Sequence, residues 1–325
     1  MKTAIAYADY IDRLCTIEMR SSRIIPGTLL QLYKEARELQ GLPLTYLAAN
    51  RMIQTIRPDD NVIIASGLGG PNNYLPYGET DGPLGAAALA RIIKFLLKAN
   101  PIIVSGQKYI EPILASCQAL GLSSDNLLSE TAPFNDDKAR NKGTEILEKY
   151  NPSALIAVEA LGPNNKGVAH SLRGIDLTPW NVPFYHMFDM ANQKGVLTIG
   201  IGDGGNEIGC GLIYENARKI LKYGMLCQCP CKNGVATVTE TDVLVLGGTS
   251  NWGAYGIEAC LSILLRNPSS IHTPKEEAKS LKSCIDAGAR DGPTGSSDLM
   301  VDAIPLETNK ALITMLRTIA QKALE

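Results

Sequence analysis

The run 198-TIGIGDGGNEIGCG-211 decides how the rest of the chain is read. Its apolar half ends at a glycine turn, as a buried strand feeding a loop would, and Gly200, Gly202 and Gly205 satisfy the pattern GxGxxG. A dinucleotide loop needs free amides facing a pyrophosphate, and an acid about 20 positions on for the ribose. Here 219-KILKYGMLC-227 carries no acid, and Asp203 and Glu207 put negative charge where the pyrophosphate would lie. The turn therefore reads as one that presents carboxylates, and no NAD is expected.

Four other short, β-branched runs stop at glycine or small polar residues: 61-NVIIASG-67, 101-PIIVSG-106, 153-SALIAVEA-160 and 242-DVLVLGG-248. Their unbroken apolar character predicts strands buried on both faces. Helical spacing separates them, at 84–100, 135–150, 213–223 and 254–267. Alternating strands and helices predict a Rossmann-like α/β fold, a doubly wound, mostly parallel sheet with helices on both faces. Before it, Ile11 to Met19, 28–40 and 44–56 show three-to-four spacing and predict an N-terminal helical preface. No low-complexity linker intervenes, so the expectation is a single domain over 1–325, with the preface at 1–58 and the α/β core at 59–325.

With 325 residues, 45% of them hydrophobic, the chain can bury a large core, and aromatics at 6% leave aliphatic residues to fill it. A net charge of -2 gives no reason to expect nucleic acid or an anionic membrane, so a small soluble ligand is the expected partner. The amino-terminal run has neither the apolar core of a secretory signal nor the composition of a transit peptide. A cytoplasmic protein with its 8 cysteines reduced is expected, and a homo-oligomer is allowed. Cys227, Cys229 and Cys231 are spaced by two rather than as CxxC, with no histidine nearby in sequence, which favours reduced thiols on a turn over a zinc site.

In a doubly wound fold ligands bind beyond the carboxyl ends of the strands, and the loops there are rich in glycine and asparagine. They carry Glu79 and Asp81, Glu159, and Asp203 with Glu207; Asp291 belongs to a later echo, Asp291-Gly-Pro-Thr-Gly295, of Asp81-Gly-Pro-Leu-Gly85. Oxygen donors of this kind suit a hard divalent cation, Mn²⁺ or Mg²⁺. Three histidines, none in a metal-binding pair, argue against zinc. Glu159 stands inside the apolar run ALIAVEALG, where a charge is costly unless paired or coordinated, so function is favoured over a structural pair. For Asp203 a helix cap, and for Glu207 a first-turn acid, are the competing structural readings. Arg173 is expected to grip a substrate carboxylate, with a pair to Asp176 as the structural alternative. Asn164 and Asn251 are candidate polar donors, Ser250 to Gly253 offer helix amides for an anion, and His170 and His186 are candidate bases.

Taken together, 202-GDGGNEIGCG-211, 79-ETDGPLGA-86, 250-SNWGAYG-256 and 11-IDRLCTIEMR-20 resemble the D-glutamate cyclase family, in the C-terminal domain of its larger vertebrate members and in its stand-alone prokaryotic form. The likeness spans nearly the whole chain. It implies dehydration of D-glutamate to 5-oxo-D-proline, an acidic amino acid as substrate, and a divalent metal. Its metal ligands would come from Asp81, Glu159, Asp203, Glu207 and Asp291. Catalysis would fall to Glu159, Asp203 and Glu207, and substrate binding to Asp81, Asn164, Arg173, Ser250 and Asn251. The chain departs from the family pattern at Cys210 and Arg290, neither of which removes a carboxylate. Two other readings stand beside this one: a metal-dependent phosphoryl- or nucleotide-handling enzyme, weakened by the lack of GxxxxGK[ST], and a non-catalytic amino-acid sensor.

Overall fold

Six strands follow one another in one direction: β1 (Asn61–Ser66), β2 (Asn100–Gly106), β3 (Leu128–Ala132), β4 (Ala154–Val158), β5 (Leu197–Gly202) and β6 (Val243–Leu246). They form one sheet in the order β3-β2-β1-β4-β5-β6, every pair parallel. Ile64 of β1 stands in register with Ile103 of β2 and Ile156 of β4, so the sheet centre is a row of branched aliphatic side chains. The computed structural model describes residues 2–19 and 25–325; Arg20, at the end of the opening run IDRLCTIEMR, and the rest of the stretch 20–24 lie outside it, as does residue 1.

Because side chains alternate along a strand, each strand feeds two cores. Val62 and Ile64 enter one apolar layer and Ile63 and Ala65 the other. The thicker layer holds α4 (Pro83–Phe95), α5 (Ile110–Ala119), α9 (Ser250–Leu264), α10 (Pro274–Asp286) and α11 (Leu306–Lys322). It also takes in the preface helices α1 (Lys2–Cys15), α2 (Thr28–Gln40) and α3 (Leu44–Thr55), through Ile11, Leu32 and Met52. Buried Asp12 fastens the preface, accepting the Leu44 N–H at 2.6 Å and the Thr45 N–H at 3.2 Å at the otherwise unsatisfied start of α3. The thinner layer is covered by α6 (Asp136–Tyr150) and α7 (Tyr185–Gln193), with Ile146, Met187 and Phe188 inward. Helices on both faces of a parallel sheet agree with the expected doubly wound class.

The departures are local. Strand β3, with the sequence LSETA, is a polar edge strand whose Leu128 is exposed, so it lacks the apolar run that marks a central strand. Helix α9 starts at Ser250 rather than 254, because Thr249 caps it. Helix α8 is shorter than expected, Tyr214–Ile220. Helix α11 follows Asp291, and between them Met300–Val301 (β7) and Ile304–Pro305 (β8) make a small antiparallel hairpin. The order in which strands are added reverses between β1 and β4, so the crevice of the sheet opens at their carboxyl ends.

Candidate active site

Glu159 is the first residue after β4, and it holds a left-handed backbone with φ 48°. For a residue with a Cβ this costs roughly 1–2 kcal/mol, a strain that persists where surrounding structure requires it. The turn sends the side chain toward the start of α9, where Glu159 Oε2 accepts the Ser250 hydroxyl at 2.5 Å. Ser250 and Asn251 in turn donate their backbone N–H groups to Asp81, at 2.8 and 2.9 Å. Thr249 accepts the next two, from Trp252 through its side chain and from Gly253 through its carbonyl. All four amides expected to receive a substrate carboxylate are therefore occupied within the chain, which corrects that expectation.

The glycine loop after β5 answers the dinucleotide question in the same way. Glu207 folds back over it and accepts the N–H groups of Gly204, at 3.1 Å, and Gly205, at 2.9 Å. Gly202 is bare because a Cβ there would sit 2.6 Å from Glu207 Oε2, and Gly205 supplies a φ of 91°. The loop's own carboxylate thus fills the place a phosphate would take, as Asp203 and Glu207 in the sequence suggested.

These loops enclose a cavity of about 370 Å³. Glu79, Glu159, Asp203, Glu207 and Asp302 reach it, Arg173 stands at its wall, and Leu68, Tyr74, Leu172 and Trp180 make it apolar elsewhere. Among the described residues lining it, Arg173 is the one cation. Asp81, Glu159, Asp203 and Glu207 are 1%, 5%, 5% and 1% exposed, so their charges are held out of bulk water. Burial first, then the charges of Glu159, Asp302, Asp81 and Asp291, push the Glu79 carboxyl well above the ordinary carboxylate range. Glu159 is raised likewise, by burial and by Glu207 and Asp81, against the lowering bond from Ser250.

Among the described residues two carboxylate sets could hold a metal ion: Glu159, Asp203 and Glu207, and Asp81, Asp203 and Asp302, the ligand atoms of each lying within 4.8 Å of one another. Asp203 belongs to both. An all-oxygen set of this kind fits a hard divalent cation, which would replace the protons that burial otherwise imposes.

Asp302 was missed from sequence. It sits with Ala303 in the two-residue turn between β7 and β8, both with positive φ, 52° and 62°. Its signal was the one used for Glu159, a lone acid within an apolar run, MVDAIP. Asn206 was also missed: it lines the cavity, its Nδ2 donates to the His170 carbonyl at 2.8 Å, and its buried Oδ1 has no hydrogen-bond partner among the described residues.

Other expected residues lie elsewhere. Asp291 does not line the cavity; it accepts the Ala303 N–H at 2.8 Å and the Thr294 hydroxyl at 2.6 Å, and so pins the hairpin. Asn251 Oδ1 accepts the Gly82 and Gly85 N–H groups at the start of α4, while its Nδ2 donates to the Thr80 carbonyl. Asn164 is bound to Gly234 and to its own turn. Arg290 donates to the carbonyls of Gly288 and Ala289 and is not part of the cavity wall. His186 lies 3.0 Å from Asp136, off the cavity. His170 is off it too: its Nε2 lies 3.2 Å from Cys229 Sγ and 3.5 Å from Cys231 Sγ, which corrects the expectation that no histidine joins the cysteines.

A family model described as D-glutamate cyclase-like, C-terminal, matches residues 31–317. A human protein, D-glutamate cyclase, mitochondrial, is 27% identical over 212 residues, 63% of this chain and 33% of that protein. The match thus spans about a third of the length of that relative. No helix among the described residues is long and apolar enough to cross a membrane.

Proposed function

The chain belongs to the D-glutamate cyclase-like family, and from that premise we propose that it closes D-glutamate to 5-oxo-D-proline with loss of water. The observation that supports this reading best is the carboxylate-lined cavity with a guanidinium at its wall, at the crevice of the sheet. Glutamate at neutral pH brings one ammonium and two carboxylates, and ring closure must remove two protons from nitrogen and one oxygen as water.

Arg173 holds the α-carboxylate, with its planar fork matched to two oxygens. Asn206 Oδ1 accepts an N–H of the substrate amine and turns its nitrogen toward the γ-carboxyl carbon. Glu159, whose affinity for protons is raised by burial and by the charges of Glu207 and Asp81, takes the two amine protons in turn and returns each to the departing oxygen, which leaves as water. Ser250 keeps that carboxyl in place. Asp81, Glu159, Asp203, Glu207 and Asp302 would hold a divalent cation, Mn²⁺ or Mg²⁺, which supplies Lewis acidity at the γ-carboxylate when bound. The apolar wall of Leu172 and Trp180 keeps water from the reacting atoms, and holding both ends of one molecule makes the attack intramolecular.

The test is to incubate the metal-stripped chain with D- or L-glutamate, with and without Mn²⁺ or Mg²⁺, and resolve 5-oxoproline by chiral chromatography. Formation of 5-oxo-D-proline only with a cation present is expected. Binding of D-glutamate without product would favour a sensor, and product independent of any cation would remove the metal from the scheme.

A further inference from the structure

We infer that His170, Cys227, Cys229 and Cys231 form a zinc site, separate from the carboxylate cavity, that fastens the 221–242 segment to the loop carrying Arg173. Four potential ligand atoms lie together: Cys227 Sγ is 3.5 Å from Cys229 Sγ and 3.3 Å from Cys231 Sγ, and His170 Nε2 is 3.2 and 3.5 Å from the latter two. All four ligand atoms lie within 4.8 Å of one another. Tetrahedral zinc with ordinary Zn–S and Zn–N lengths separates its ligands by roughly 3.5–3.8 Å. The observed spacings reach that with shifts of a few tenths of an ångström, and none is near the bond length of a disulfide.

The surroundings fit thiolates. Cys229 Sγ accepts the Cys231 N–H at 3.4 Å, and Cys231 Sγ accepts the Asn164 amide at 3.4 Å. Such N–H donors orient and stabilise metal-bound sulfur. The other ring nitrogen of His170, Nδ1, is buried without a hydrogen-bond partner among the described residues, so the sulfur side is where this imidazole makes its polar contacts. None of the four lines the cavity. With four protein ligands and no open position, the site is structural rather than catalytic.

Its location says what it holds. Residues 221–242 run between α8 and β6 without helix or strand, a length at which an irregular segment needs a fastening. The Gln228 and Cys229 N–H groups meet the Gly174 carbonyl at 2.9 and 3.2 Å. On the other side the His170 carbonyl accepts from Asn206, and Arg173 follows three residues later, both in the cavity wall. The metal thus ties the irregular segment to the wall through one imidazole.

Metal analysis of the intact chain, purified in reductant and without added metal, checks this directly. About one zinc per chain is expected, and replacement by Co²⁺ should give thiolate-to-cobalt charge transfer and the d–d bands of tetrahedral coordination. Both should be lost in Cys229→Ser and Cys231→Ser and kept in Asp203→Asn, whose change is confined to the carboxylate cavity. On the wild-type chain, chelation should speed tryptic cleavage after exposed Lys222 and Lys232 by roughly tenfold or more, because the segment then opens locally. A folded wild-type chain that takes up neither zinc nor cobalt, or whose cobalt bands survive both cysteine changes, would overturn the assignment. So would a Cys227–Cys231 disulfide found in the reduced preparation.

Discussion

Glu159 shows how much one residue can carry. Its left-handed backbone, its burial and its bond to Ser250 all act against a relaxed, ionised glutamate. Structure that keeps such a residue does so for chemistry more often than for packing. Glu159→Gln keeps the shape and the Ser250 contact but cannot exchange a proton. It should lower the rate of 5-oxo-D-proline formation roughly 100- to 10,000-fold, the range for loss of general acid–base catalysis, while thermal unfolding shows a chain no less stable. A variant with unchanged turnover would take Glu159 out of the proton path. This residue was legible in sequence as a charge inside ALIAVEALG; Asp302 carried the same mark in a shorter run and was passed over. Asn206 bore no mark, since an asparagine beside glycine is ordinary turn chemistry.

At the scale of elements, the helix starts explain why sequence reading assigned some residues to a ligand that the structure gives to the backbone. Asp81, just before α4, satisfies the first amides of α9, and Asn251, in the first turn of α9, satisfies those of α4. The exchange locks two neighbouring helices end to end, with Asp81 also belonging to a carboxylate set that could hold a metal ion. Asn251→Ala leaves the Gly82 and Gly85 N–H groups buried and unpaired, which should cost about 1–3 kcal/mol in urea unfolding. A loss below about 0.5 kcal/mol, the level of a neutral surface change, would mean that the clamp is not structural. Capping partners so far apart in sequence could not be paired from spacing alone.

Across the molecule, the thick helical layer depends on a buried charged knot. His272 Nδ1 lies 2.6 Å from Glu258 of α9, and its Nε2 is 3.3 Å from Glu277 of α10, with Tyr255 donating to Glu277 and Arg91 of α4 3.7 Å from Glu258. Burial alone would lower the imidazole pKa, but the charges of Glu258 and Glu277 outweigh it and push it up to about 10. Because the folded value exceeds the unfolded one near 6.5, protonation stabilises the fold fully below that pH. The contribution is lost as pH rises toward 10. Denaturant unfolding from pH 6.5 to 10 should therefore show falling stability, and His272→Gln should flatten that slope while lowering stability at neutral pH. A wild-type chain with level stability over this window would show that His272 is not charged when folded.

The parallel sheet, its central strands and the carboxylates at their ends follow from local sequence. Apolar runs closed by glycine, and charges inside such runs, are local signals that need no partner to be read. The tertiary structure decided the rest. It brought Asp302 to Asp203 and gave Asn251 to a neighbouring helix rather than to a ligand. It also brought His170 to a cysteine set far along the chain. Each of these depends on which strand ends become neighbours when the sheet is wound from β1 outward in both directions. That order is set by packing between distant segments, and no window of sequence contains it.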